Sequence, residues 1–283
     1  MIARGLLGEA TATLASAGVP SPELDARLLL AHVLGVPHLT IDTGADLATE
    51  QTDAFGDLLA RRARREPLQY LLGTAAFRYV ELEVGPGVFV PRPETELLAG
   101  WAIAQIAARH AAGVERPIAV DLCTGSGAIA KALVDEQPQA EVFAVELAEE
   151  ALSYARRNLA GSGVDLRAGD IADCLPELDG RVDVVVANPP YIPLGEYESV
   201  DVEAREHDPA IALWSGADGL DTVRSVERVA HRLLRPDGVV ACEHADLQGE
   251  SVPRIFGARW TNVRDHRDLA DRPRFTTAQR PDA

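Results

Sequence analysis

From about residue 116 the chain repeats one alternation, which restricts its fold more than any other feature. Short apolar runs rich in β-branched residues are separated by stretches with helical spacing. Residues 118–122 read as a strand, 128–136 as a helix, 142–146 as a second strand and 148–159 as a second helix. Residues 166–170 and 182–187 give a third and a fourth strand. A long helix over 222–234 ends at Pro236-Asp237-Gly238, and 239–243 is a further strand. Alternation of this kind predicts an α/β domain, doubly wound around a mainly parallel sheet. The polar tail after Asp271 can close the sheet through Phe275-Thr276-Thr277.

Sheets of this type bind ligands outside the carboxyl ends of their strands. After the first strand comes Asp121-Leu122-Cys123-Thr124-Gly125-Ser126-Gly127, whose glycines allow a sharp turn and a close approach to a ligand. The loop lacks the third glycine of a dinucleotide fingerprint and the Gly-Lys-Ser/Thr of a P-loop. An acidic residue ahead of the glycines disfavours pyrophosphate and favours a cationic or amino-bearing ligand. S-adenosylmethionine carries both an ammonium and a sulfonium. Glu146 ends the second strand, where a carboxylate can accept from both ribose hydroxyls, and Asp170 ends the third, where an adenine edge would lie. Asn188 ends the fourth. A lone Gly-x-Gly after a strand can also be a plain turn; four polar strand ends in succession favour a site.

The fourth strand runs into Ala187-Asn188-Pro189-Pro190-Tyr191. The prolines fix φ and remove N–H donors, so the carbonyls there have no regular ladder partner. The Asn188 side chain adds an acceptor and Tyr191 a flat aromatic face. Two acceptors beside an aromatic plate suit a planar –NH2 group, either an amide or an exocyclic base amine. The alternative is a strand capped by a proline turn, with Tyr191 in the core.

Residues 1–74 read as a small helical domain without chemistry-bearing residues. Leu6, Leu7, Ala10 and Leu14 repeat at helical spacing, and Ser21-Pro22 is suited to cap and open a second helix that Gly35 ends. A third helix is expected over 49–66. It carries Arg61-Arg62-Ala63-Arg64-Arg65, read as a solvated helix face or as a contact for an acidic protein or RNA. Residues 75–92 alternate as a β-hairpin turning at Gly85-Pro86-Gly87 and returning over 88–90, a linker to the domain at 93–283. A helix opens after Pro91-Arg92-Pro93-Glu94-Thr95-Glu96.

A net charge of -17, from 27 basic and 44 acidic residues, repels a phosphate backbone, so stable nucleic-acid binding is not expected. Lys131 is the sole lysine. Cys123, Cys174 and Cys242 are far apart and make neither a disulfide framework nor a metal-ligand spacing, so no metal is expected. No apolar run is long enough to span a membrane, and the default location is cytoplasmic.

The Asp-x-x-Thr-Gly-Ser-Gly loop, the acidic second-strand end and Asn-Pro-Pro-Tyr together resemble a class I S-adenosylmethionine-dependent, Rossmann-like methyltransferase acting on a planar nitrogen. Gly-Val-Phe-Val-Pro-Arg-Pro-Glu-Thr-Glu at 87–96, Asp-Pro-Ala-Ile-Ala-Leu-Trp-Ser-Gly-Ala-Asp-Gly-Leu at 208–220 and the helical N-terminus narrow the likeness. Along nearly its whole length the chain resembles the release factor glutamine methyltransferases (the HemK/PrmC family). The resemblance implies methylation of the glutamine amide nitrogen in the Gly-Gly-Gln loop of class 1 peptide chain release factors, with S-adenosylhomocysteine as product. It implies that the helical domain helps to grip the release factor. It places Cys123, Thr124, Gly125, Ser126 and Gly127 around the methionine end of the cofactor, Glu146 on the ribose, and Asp170 with Ile171 beside the adenine. Asn188 and the Pro189 carbonyl would hold the substrate amide in a loop rigidified by Pro190, with Tyr191 packed against it. Cys123 stands where the family mostly has glycine and Glu146 where it mostly has aspartate. Two other readings remain: an amino methyltransferase acting on adenine or guanine in nucleic acid, which would flip its base onto Tyr191, and a non-catalytic nucleotide-binding protein.

Overall fold

The computed structural model describes residues 2–257 and 259–282. The chain divides into two compact units, Met1–Thr74 with Asp201–His207, and Ala75–Val200 with Asp208–Ala283. In the first unit, α1 (Ala3–Ser16), α2 (Pro22–Leu34), α3 (Thr49–Ala63) and α4 (Leu68–Leu72) surround a core of Leu6, Leu14, Leu29, Leu30 and Phe55. Pro22 opens α2 as expected, but Ser21 makes no side-chain capping bond.

Two arginines of the run, Arg62 and Arg65, are not part of a solvated face, whereas Arg64 is exposed. Arg62 is buried, with Nε donating to Asp25 at 2.8 Å and Nη2 to Glu203 at 2.9 Å. Arg65 Nε donates to the same Glu203 oxygen at 2.9 Å, and Arg61 pairs with Glu66. Helix α3 ends at Ala63 because Arg65, at φ +65°, has left the helical region. Glu203 belongs to residues 201–207, which sequence spacing places in the C-terminal domain but which pack with the helical unit.

In the second unit the hairpin is β1 (Thr74–Phe77) and β2 (Val80–Glu83). It turns at Arg78-Tyr79, not at Gly85-Pro86-Gly87, and residues 88–90 form no strand. Arg78 sits at φ +53° with its guanidinium bound to both oxygens of Glu136 and to the Glu96 carbonyl, which fixes the earlier turn. Phe77 and Leu82 join the core of the unit, so the hairpin is packed rather than free.

The elements that follow are α5 (Thr95–Ala111), β3 (Ile118–Leu122), α6 (Ala128–Glu136), β4 (Glu141–Glu146), α7 (Glu149–Asn158), β5 (Asp165–Ala168) and β6 (Val182–Ala187). Then come α8 (Val202–His207), α9 (Ala210–Leu213), α10 (Asp221–Leu233), β7 (Leu234–Glu243), α11 (Ser251–Phe256), β8 (Thr261–Arg267) and β9 (Pro273–Gln279). The seven-stranded sheet has the order β5-β4-β3-β6-β7-β9-β8. Neighbours from β5 to β7 are parallel; β9 is antiparallel to β7 and β8. The expected closure through Phe275-Thr276-Thr277 is therefore met, with β9 inside the sheet.

Strand residues alternate between two cores, as a pleat with both faces covered requires. Ala119, Val142, Ala144, Val184 and Val186 pack with α5 and α6. Val120, Leu122, Val145, Val185 and Val240 pack with α10 and Phe256. Among the described residues no helix is long and apolar enough to cross a membrane.

Candidate active site

The carboxyl ends of the five parallel strands lie level. Leu122 is opposite Val145 and Ala187, Glu146 opposite Ala168, and Ala187 opposite Cys242. Chain order reverses at β3, with β4 and β5 to one side and β6 and β7 to the other, which opens a crevice outside the ends of β3 and β6.

The glycine loop forms one wall. Asp121 is fully buried, and its Oδ2 accepts from the Thr124 hydroxyl at 2.5 Å and from the Ala130 N–H at 3.1 Å. Burial raises its pKa to about 7. Its Oδ1 has no partner among the described residues. Glu146 accepts from the Gly125 N–H on Oε2 and from the Ala148 N–H on Oε1, both at 2.8 Å. Burial raises the Glu146 pKa, and these amides oppose the shift. The two carboxylates thus grip the loop from either side. Cys123, between them, sits at φ +63°. That left-handed backbone costs a residue with a Cβ about 1–2 kcal/mol, which is a physical reason for glycine at this position. Burial pushes its thiol well above the usual cysteine range, helped by the charges of Glu146 and Asp121. Ser126 and Gly127 are buried under the loop. Asp170 is exposed and accepts from the Ala172 N–H at 2.8 Å, while Ile171 beside it is buried.

The other wall is the loop after β6. Asn188 is half-buried, and its Nδ2 donates to the Thr95 hydroxyl at 3.2 Å. The amide is thereby turned so that Oδ1 points away from Thr95. Pro189 is buried and Pro190 half-buried. The Tyr191 ring is half-buried and packs against the core. Its hydroxyl donates to Glu243 Oε1 at 3.3 Å, and its carbonyl accepts from Gln248 Nε2 at 2.8 Å. Burial, then the Glu243 charge, raises the Tyr191 pKa.

Residues 208–220 run beside this loop. Ile192 N–H donates to the Leu213 carbonyl, Ser215 N–H to the Ile192 carbonyl and Leu194 N–H to the Gly216 carbonyl, at 2.9–3.0 Å. Gly219, at φ +75°, passes so close that a Cβ would lie 2.3 Å from the Tyr191 carbonyl oxygen. Arg92 reaches Asp208 at 2.5 Å and stacks over Phe89. The two distinctive stretches at 87–96 and 208–220 therefore meet, and together they brace the Asn-Pro-Pro-Tyr loop.

Sequence reasoning passed over Thr95, Glu243 and Gln248. Glu243 had a signal. It is an acidic residue at the carboxyl end of an apolar strand, the pattern that singled out Glu146. Thr95 and Gln248 had none, because only tertiary packing brings them to the loop.

The sheet order, glycine loop and acidic strand ends define a class I S-adenosylmethionine-dependent methyltransferase. Residues 5–73 match the family described as the PrmC N-terminal domain, and residues 118–268 match a methyltransferase domain. A release factor glutamine methyltransferase of Streptomyces coelicolor is 55% identical over 276 residues, covering 97% of this chain and 96% of that protein. Another, from Mycolicibacterium smegmatis, is 50% identical over 281 residues, covering 98% and 97%. A 4-amino-L-phenylalanine/4-methylamino-L-phenylalanine methyltransferase of Streptomyces pristinaespiralis is 44% identical over 261 residues, covering 91% and 88%. The chain belongs to the release factor glutamine methyltransferase family.

Proposed function

We propose that the chain methylates the side-chain amide nitrogen of the glutamine in the Gly-Gly-Gln loop of class 1 peptide chain release factors, in the cytoplasm. The observation that carries this reading is the Asn188 amide, whose Nδ2 donates to Thr95 and so leaves Oδ1 as an acceptor in the loop that also carries the Pro189 carbonyl. Two acceptors in that arrangement match the two N–H bonds of a primary amide. The identity of the substrate protein rests on the relatives.

The residues also fit the methyl donor. Asp121 Oδ1, buried and unpartnered, suits an ammonium. Glu146 retains lone pairs for ribose hydroxyls, and buried Ile171 beside Asp170 offers an apolar flank for adenine. Bound S-adenosylmethionine supplies an electrophilic methyl group on its sulfonium. Transfer would form one N–C bond, break one S–C bond, leave S-adenosylhomocysteine and pass one N–H proton to solvent.

An amide nitrogen is a weak nucleophile because its lone pair is delocalised. Asn188 Oδ1 and the Pro189 carbonyl accept its N–H bonds, fix its direction and stabilise positive charge as it develops. Tyr191 fixes the amide plane. Alignment of this kind lowers a displacement barrier by several kcal/mol. The helical unit is assigned to gripping the release factor.

The Streptomyces pristinaespiralis relative supports a second reading, transfer to a free aromatic amine. Labelled S-adenosylmethionine discriminates. The expected result is label on a release factor and none on its loop Gln→Ala variant. Label on 4-amino-L-phenylalanine but not on the release factor would replace the first reading with the second, and label on RNA or DNA alone would replace both.

A further inference from the structure

Glu243 takes no part in the reaction as derived so far, yet it lies behind both recognition residues. It is 1% exposed at the carboxyl end of β7. Its Oε1 accepts from the Tyr191 hydroxyl, its Oε2 has no hydrogen-bond partner among the described residues, and the Thr95 hydroxyl is near enough to hold down its pKa. Thr95 is itself buried, at the start of α5, and its oxygen accepts from Asn188 Nδ2.

The direction of these bonds is the point. An ionised carboxylate only accepts. A hydroxyl has one proton, so a Thr95 hydroxyl that spends it on Glu243 meets Asn188 with a lone pair. An oxygen lone pair takes the N–H face of an amide and repels the carbonyl face. Asn188 must then show Nδ2 to Thr95 and Oδ1 to the crevice. With a neutral group at 243, the Thr95 proton is free to turn toward Asn188, and both orientations of the amide become accessible. The flipped one presents two donors to a substrate that is itself a donor.

We propose that Glu243 is a positioning residue for amide methylation, whose carboxylate, acting through the Thr95 hydroxyl, fixes which end of the Asn188 amide faces the substrate and, through the Tyr191 hydroxyl, fixes the plane of the aromatic ring. The inference rests on the reading of Asn188 as the amide acceptor. It assigns no contact between Glu243 and substrate.

The charge of Glu243 answers to its surroundings on every side. Burial raises its pKa to about 7, opposed by the Thr95 hydroxyl on α5, the Arg274 guanidinium on β9 and the Tyr191 hydroxyl after β6, and supported by the Glu94 charge ahead of α5. The orienting charge is therefore present above neutrality and lost as pH falls through about 7.

The test compares wild type with Glu243→Gln, Thr95→Val and Thr95→Ser in release-factor methylation. Glu243→Gln and Thr95→Val are expected to lower kcat about tenfold or more at pH 8, a barrier change of about 1.4 kcal/mol per decade, with S-adenosylhomocysteine affinity kept within about twofold. Thr95→Ser, which keeps the hydroxyl, is expected to restore most of the rate. The limb of the pH–rate profile near 7 should flatten in Glu243→Gln. A readout independent of substrate is the ¹⁵N side-chain amide signal of Asn188, identified by its loss in Asn188→Ala. It should shift with a midpoint near pH 7 in wild type and stay level in Glu243→Gln. Wild-type kcat and profile in both Glu243→Gln and Thr95→Val would overturn the proposal. So would an Asn188 signal that titrates equally in wild type and Glu243→Gln, even if the release factor proved not to be the substrate. An inactive wild type with the expected titration would reject the substrate reading alone.

Discussion

Gly219→Ala tests whether the 208–220 segment exists to brace the Asn-Pro-Pro-Tyr loop. The new Cβ would lie 2.3 Å from the Tyr191 carbonyl oxygen, 2.8 Å from Gln248 Nε2 and 2.9 Å from Pro193 Cδ. Carbon and backbone oxygen do not approach below about 3.0 Å. The amide tip of Gln248 can swing aside, but the Tyr191 carbonyl is backbone and can retreat only by moving the loop, by at least the difference between 2.3 and 3.0 Å. Alanine at φ +75° adds about 1–2 kcal/mol of backbone cost, and the overpacking adds about 1–3 kcal/mol. Misplacement by about 1 Å at a reacting centre costs up to about 100-fold in rate, so a shift of this size should lower kcat by about 10- to 100-fold. The assay is steady-state transfer from labelled S-adenosylmethionine, with calorimetric titration of S-adenosylhomocysteine as the control. Thermal unfolding should begin several degrees lower, and cofactor affinity should hold, because the glycine loop after β3 is separate. Near-normal kcat in a folded Gly219→Ala would refute the bracing argument; equal loss of cofactor affinity would show that the strain spreads across the whole sheet edge.

Three other outcomes are expected. Asn188→Ala should bind S-adenosylhomocysteine normally and lose more than about 100-fold in turnover, the scale of one lost preorganised dipole; near-normal turnover would remove Asn188 from the mechanism. Arg62→Ala leaves the buried Asp25 carboxylate without its cation, while half-buried Glu203 keeps Arg65, and should destabilise the helical unit by about 3–5 kcal/mol in denaturant titration. Asp121 has a folded pKa of about 7, far above its unfolded value. Its contribution to stability is thus complete below about pH 4 and lost as pH rises through 7. Asp121→Asn should therefore compare more favourably with wild type in Tm at pH 8 than at pH 5, and a difference constant across that range would refute the assignment.

What the sequence disclosed follows the range of the interactions involved. The inner parallel strands β3, β4 and β6 were legible because they are apolar runs buried on both faces, and the strand-end residues because their position follows from where each run stops. The hairpin turn departs from the expected one because Gly85-Pro86-Gly87 is a strong local turn signal, whereas the actual turn at Arg78-Tyr79 depends on Glu136, 58 positions away. Arg62 looked like surface because its partners Asp25 and Glu203 lie 37 and 141 positions away. Within the site, the loops carrying Asp121, Glu146 and Asn188 could be named from the sequence. The hydrogen bonds that aim them, from Thr95 and Gln248, could not, since no local pattern encodes a partner that folding alone brings near.

Residues 201–207 pack with the helical unit although the chain on both sides of them belongs to the methyltransferase unit. The N-terminal part is therefore not a module that can be exchanged by one crossover. A chimera taking residues 1–74 from a relative, and leaving 201–207 behind, would set a foreign helix face against Glu203 and strand whichever of Arg62 and Arg65 lost its match. Genetic recombination within the family should be tolerated when both segments travel together and be selected against when they are split. The unit of inheritance here is a pair of distant stretches, joined chiefly through the Glu203 carboxylate.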